Sequence, residues 1–305
     1  MVRSRLTTHG HCLELVPAIM CLTLVELMFP SSSLAMTVHI TAVGEVLRSY
    51  GPKRFQTGTL HELFNGFRPL LVLEAVRRRR PTFLALESWI EIPSSQNSPT
   101  PMQALLTEVV SIPSLLYKSD VLFQDPLIVN IGDANEIAHA IIESLHRLCL
   151  YEKRLWLESD TPCYWTDGPE TPLRFPTITM ANCLSHIWAF RIICLAELEK
   201  FSRSFPYSIE KSTETSDIQT QIAQLSKLIS LSMEYLLGDD MKLYGPASTL
   251  FPLSVAYQAL GSAQDRGLVM EHIDRTIFRL VEKGLRSAPF FVKCDEIQNF
   301  LSQPI

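Results

Sequence analysis

Along most of the chain, apolar residues return every three or four positions, the period of a helix that buries one face. Val38, Ala42, Val46 and Tyr50 lie four apart, Val43 and Leu47 widen that stripe, and Gly51-Pro52 ends it. A second helix is predicted from about Leu60 to Arg80, with Leu63, Phe64, Phe67, Leu70 and Leu71 inward and a kink at Pro69. The pattern continues over about 102–122, broken near Pro113, and then over 133–156, where Ile137, Ile141, Leu145 and Leu148 form the stripe. Helices at 176–202, 218–237, 247–260, 266–287 and 294–302 follow, with Ile222, Leu225, Ile229 and Met233 inward in the second of these. Two polar stretches interrupt them, Pro93 to Pro101 and Ser208 to Ser216. No six-residue stretch alternates with period two, so no strand is predicted. The expected fold is all-α, antiparallel helix pairs stacked around one continuous core over 13–305, behind a tail at 1–12.

Composition agrees with helices. Of 305 residues 47% are hydrophobic, enough for a sizeable core, while only 12 are glycine, too few for turn-rich β folds or glycine-rich nucleotide loops. The net charge is −5, and it divides unevenly, +3 over residues 1–100 and −8 over 101–305. A chain held to DNA mainly by phosphate contacts would be basic, so this balance speaks against direct nucleic-acid binding.

The seven cysteines, Cys12, Cys21, Cys149, Cys163, Cys183, Cys194 and Cys294, include no pair separated by two residues, which removes a structural zinc half-site. They read as reduced, buried thiols. Leu15 to Val25 carries no charge but is too short to span a bilayer. Arg3 and Arg5 before it, and Ser33-Leu34-Ala35 after it, give it the outline of a secretory leader. The favoured reading is a buried first helix. His9-Gly10-His11-Cys12 is too short and too isolated to define a metal site.

Catalytic patterns are missing: there is no G-x-S-x-G, no G-x-x-x-x-G-K-S/T and no H-E-x-x-H, and His61-Glu62 has no second histidine. Asp239-Asp240 lacks the further carboxylate that a magnesium-diphosphate site would use, and reads as a helix-end turn. His39 and His186 are expected as satisfied core histidines. Trp89, Trp156, Trp165 and Trp188 are expected as core or pocket-lining aromatics. Arg77, Arg78, Arg79 and Arg80 carry two readings: cations placed at a helix C-terminus, where the macrodipole favours them, and a nuclear-import signal. Ser98 and Thr100, each before a proline in the 93–101 loop, are candidate phosphorylation sites, as are Thr161 and Thr171.

Several of these pieces, taken in order, resemble the fungal-specific transcription factor domain, the helical regulatory region of fungal zinc binuclear-cluster regulators. Arg78-Arg79-Arg80-Pro81-Thr82-Phe83-Leu84-Ala85, followed by Trp89 and Pro93, is similar to that family's R-R-P-T-F-L-A…W…P stretch. Upstream, Leu22 to Met28 with Glu26, then His39, Gly44, Tyr50-Gly51-Pro52, Leu63-Phe64 and Arg68 follow its order, with Met36 where the family has tryptophan. Downstream, Glu234-Tyr235-Leu236-Leu237, Gly245, Phe251-Pro252-Leu253 and Gly284 resemble its closing pattern. The likeness covers roughly residues 15–290. It implies a non-catalytic regulator without metal or cofactor in this region, located in the nucleus with the cytoplasm as alternative. Its partners would be other transcription regulators, in homo- or heterodimers. It also implies that DNA is read by a six-cysteine zinc cluster, which these residues do not contain, so no direct DNA contact and no membrane contact are expected of this chain. The alternative is a helical enzyme or small-molecule-binding protein of a metabolic pathway on the same scaffold.

Overall fold

A computed structural model describes residues 12–32, 34–124, 131–205, 215–260 and 266–293. Among them the fold is all-α. The N-terminal part comprises α1 (Cys12–Met28), α2 (Ala35–Tyr50), α3 (Gly58–Arg77) and the short α4 (Glu87–Glu91). Next come α5 (Pro101–Val109), α6 (Ile112–Gln124), α7 (Ile131–Glu158), α8 (Ile178–Ser204) and α9 (Thr215–Leu236). The chain closes with α10 (Tyr244–Ala259), α11 (Arg266–Glu282) and α12 (Ala288–Lys293). The predicted helix at 294–302, His9 to His11 of the His9–Cys12 tract and most of the polar stretch 208–216 lie outside the described residues.

One apolar core runs through all of these helices. Its axis is α8, which packs against α7, α9 and α10 and is buried on nearly every side. That helix is long and apolar enough to cross a membrane by length and composition, yet 78% of its apolar window is buried inside the protein. Continuous burial explains why its sequence carries no one-sided stripe. Trp188 fixes its rotation: the indole Nε1 donates to Glu152 on α7 at 2.9 Å, and Arg191 pairs with the other Glu152 oxygen at 2.6 Å.

Proline and glycine act where their geometry requires. Pro69 inside α3 has no N–H for the carbonyl of Asn65, and Gln103 Nε2 from α5 donates to that carbonyl instead, at 2.8 Å. Gly245 opens α10 where a Cβ would meet the Leu236 carbonyl at 2.2 Å. Gly284 adopts φ 94° and ends the predicted 266–287 helix at Glu282, after which the chain turns into α12.

Four expectations need correction. In α2 the inward face is Ile40, Val43, Gly44, Val46 and Leu47, whereas Val38 is 60% exposed and Ala42 points outward. Gly44 sets that rotation, because a Cβ there would touch Leu71 of α3 at 3.0 Å. The first helix is only half buried: Val16, Thr23 and Leu27 face inward, while Leu15, Leu22, Leu24 and Val25 remain exposed. Two of the four tryptophans, Trp156 and Trp165, are also substantially exposed, and only Trp89 and Trp188 are core residues. The 93–101 segment is tied down rather than loose. Pro93 is buried, Gln56 Nε2 donates to Ser95 Oγ at 3.0 Å, and Asn97 Nδ2 donates to the Gln56 carbonyl at 3.1 Å.

Candidate functional site at the end of helix α3

The four arginines of the basic run meet four different fates. The backbone of α3 ends in a Schellman turn: the Arg79 amide bonds the Val76 carbonyl at 2.9 Å, and the Arg80 amide reaches back to Ala75 at 3.0 Å. The residue that takes the left-handed position is Arg79, at φ 49°, where glycine is the usual choice.

The gain that offsets this strain comes from the Arg79 side chain, which is buried between α6 and α8. Its Nε donates to Asp120 Oδ2 at 2.7 Å, and Nη1 and Nη2 grip both Glu197 oxygens at 3.0 Å. Nη2 also reaches the Leu116 carbonyl at 3.2 Å. Ser119 donates to Glu197 from α6, and Lys200 lies 3.7 Å from the same carboxylate. Burial by itself would raise the Glu197 carboxyl, but Arg79, Lys200 and the Ser119 hydroxyl outweigh it and hold it below the ordinary carboxylate value. For Arg79 burial likewise opposes the charge, and Glu197 and Asp120 more than restore it. Burial lowers Lys200, whose ammonium sits 4.1 Å from the centre of the Phe123 ring.

Arg77 faces the other way. Its Nε and Nη2 hold Glu74 at 2.8 and 2.9 Å, and Nη2 also donates to Thr37 Oγ1 of α2 at 2.7 Å. Arg78 is exposed, and Arg80 is exposed with its guanidinium 5.0 Å from the Tyr117 ring. Two of the four cations therefore face water, and the other two tie α3 to its neighbours.

Downstream of the turn, Thr82 Oγ1 accepts from the Leu84 amide at 3.3 Å, which places Leu84 in the core. Trp89 then closes an aromatic cluster, edge-on to Phe83 at 4.8 Å and 5.8 Å from both Phe55 and Phe64. Arg68 is buried one turn away. Its guanidinium donates to the Gln103 carbonyl and Oε1 at 3.0 Å and to Thr107 Oγ1 at 3.0 Å, and burial lowers its pKa to about 10.

Glu74 and Arg77 also line a cleft of about 50 Å³. Its walls are apolar, with Ile40 from α2, Leu70 and Leu73 from α3, and Phe251 and Val255 from α10. Gln258 lies on the same wall, and its Nε2 is buried with no hydrogen-bond partner.

The remaining candidates are dispersed. Ser98 is exposed. Thr100 is exposed too, but its hydroxyl caps α5 by accepting from the Gln103 amide at 3.4 Å. Thr171 is bonded within its own turn to Thr166 at 2.6 Å. His39 is half-buried, 4.0 Å from Glu26, whereas His186 is buried with its Nδ1 2.8 Å from the Asn182 carbonyl. Burial pushes His186 down to about 4. Asp239 pairs with Lys283 at 2.7 Å. Cys163, Cys183 and Cys194 are buried, Cys149 is half-buried and Cys21 is exposed. Among the described residues no three His, Cys, Asp or Glu side chains are grouped so as to hold a metal ion.

Sequence reasoning overlooked Glu197, Asp120 and Ser119, which lie 118, 41 and 40 positions from Arg79 and carry no local signal. It also missed Gln258, whose single polar group among apolar neighbours was the only trace. Compared with models of protein families, with curated proteins and with solved structures, the chain matches none.

Proposed function

We propose that this chain is a non-catalytic helical regulatory body, similar to the fungal-specific transcription factor domain, that acts in the nucleus through contacts with other transcription regulators. On this reading a DNA-binding partner supplies the DNA contact, and a metabolic or biosynthetic gene set is the target. The observation that supports it most is the corner from Arg79 to Trp89. The stretch that carries the resemblance is also the stretch that locks α3 to α6 and α8 and closes the aromatic cluster, so those residue types there are what the fold needs. Gly44 and Gly245, two further positions of the resemblance, stand where a Cβ would collide.

Affinity purification of the tagged chain from its native cells, with localisation, tests this reading. Recovery of DNA-binding regulators from nuclei is the expected result. A chain found outside nuclei and without regulators would overturn it.

The cleft favours a second reading, a small-molecule-binding protein on the same scaffold. Its apolar walls and the unsatisfied Gln258 Nε2 fit a compact apolar molecule bearing one acceptor oxygen. A series of small ketones and the matching alkanes distinguishes it by thermal shift. Ketones should stabilise the chain more than alkanes, and Gln258→Leu should abolish the difference; equal shifts would dismiss the reading.

A further inference from the structure

Helix α1 buries one side and leaves the other apolar. Val16, Thr23 and Leu27 face the protein, and the Leu27 carbonyl anchors the helix by accepting from Ser287 Oγ at 2.6 Å. On the opposite side Leu15, Ala18, Leu22, Val25 and Phe29 are exposed, at successive spacings of three, four, three and four residues. That is the spacing of a helix-pairing seam, which keeps one face toward a second helix. The Phe29 amide still bonds Val25 at 2.7 Å, so the seam continues to its last residue. Cys21 flanks it and is exposed as well, and Leu24, also exposed, lies further round the helix, off the seam.

The area bears on what covers it. Four large side chains on the seam, Leu15, Leu22, Val25 and Phe29, are 41–53% exposed. With Ala18 and Cys21 they leave on the order of 400 Å² of apolar surface on one helix, the size of the largest patch on a typical monomer and often a functional one. Covering it with the same face of a second molecule removes roughly 800 Å² in total, the size of a weak, transient contact.

The seam is also complementary to itself. Reversed end for end about Leu22, it sets Leu15 against Phe29 and Leu22 against Leu22, with small Ala18 and Val25 each one position from facing the other. A two-fold axis at that point generates this pairing, the isologous contact that closes a dimer. Antiparallel helices also oppose their macrodipoles favourably.

We infer that the outer face of α1 is a self-association surface, through which two copies of this chain form an antiparallel, two-fold dimer centred on Leu22. A contact of this size belongs with weak, transient associations, so the dimer should form at micromolar rather than nanomolar protein. The surface does not depend on the regulatory role proposed above, and its failure would leave that role standing.

Sedimentation equilibrium of the full chain tests it. Wild type should sediment as a dimer at tens of micromolar protein. The double variant Leu22→Glu, Val25→Glu places two like charges at the axis and should weaken the dimer by at least ~100-fold, with unchanged helical circular dichroism. A short bis-maleimide cross-linker gives a second readout that needs no folded variant. In wild type it should join the Cys21 peptide to a second Cys21 peptide, and Cys21→Ser should abolish that product. Any of three results would overturn the inference: a wild-type monomer at all concentrations, a dimer indifferent to the double substitution, or a monomer whose α1 face instead binds phosphatidylcholine vesicles.

Discussion

Arg79 offers a test in which backbone and side chain pull in opposite directions. Truncation to alanine removes the guanidinium from two carboxylates and leaves Glu197 buried, with Lys200 3.7 Å away and Ser119 as its remaining partners. Breaking a buried pair from one side costs about 3–5 kcal/mol, and the remaining cation places Arg79→Ala toward the lower end. Arg79→Gly loses the same side chain but relieves the left-handed backbone at φ 49°. That relief is worth about 1–2 kcal/mol, and the greater freedom of glycine in the unfolded chain takes back about 0.4–1. The glycine variant should therefore be more stable than the alanine variant by about 0.5–1 kcal/mol. In the interior of a helix the order is reversed, with alanine favoured by about 1 kcal/mol. Urea denaturation at pH 7, followed by far-ultraviolet circular dichroism, measures both differences. If alanine proves the more stable, Arg79 does not hold the left-handed position. If both variants fall within ~1 kcal/mol of wild type, the buried network is not a net stabiliser.

The other predictions concern acid, crowding and capping. Because Glu197 is held below its ordinary value of 4.5, its contribution is complete above that pH and disappears as pH falls through its depressed folded value. The stability gap between wild type and Glu197→Gln should therefore close on acidification; a constant gap across a pH series of denaturation curves would contradict the pairing. His186, buried and neutral, is lowered from 6.5 to about 4, so folding loses stability as pH drops through that interval, by about 3 kcal/mol in total. His186→Gln should remove this acid dependence, and the same pH series reports it. Gly245→Ala should cost at least ~2 kcal/mol, because the new Cβ meets backbone at 2.2 Å, and an unchanged melting temperature would refute the close approach. Thr100→Ala should cost about 1 kcal/mol by uncapping α5, whereas Thr100→Asp should be nearly neutral in the same thermal melts.

How much was legible depended on whether the cause was local. Helix positions were readable because the period of apolar residues reports burial of one face within a single segment. The end at Gly51 was readable because turn chemistry acts over a few residues. The α2 stripe was read with the wrong rotation. Val38 and Val46 suit an inward face equally well, and only Gly44 against Leu71 of α3 decides between them. The basic run was read as one object because its residues are adjacent. Its division depends on α2, α6 and α8, all outside the run.

By itself, then, the sequence determined an all-α chain, its helices and most of their limits, and the absence of a strand-forming pattern, since each follows from periodicity and turn chemistry along a short stretch. The tertiary structure alone decided that Arg79 joins Asp120 and Glu197, that Gln258 stands unsatisfied beside an apolar cleft, and that α1 keeps an apolar seam exposed. Those outcomes depend on which distant residues arrive beside each group. A charge acts on its neighbours in space, and a pattern along the chain records only the demand for burial, not the partner that meets it.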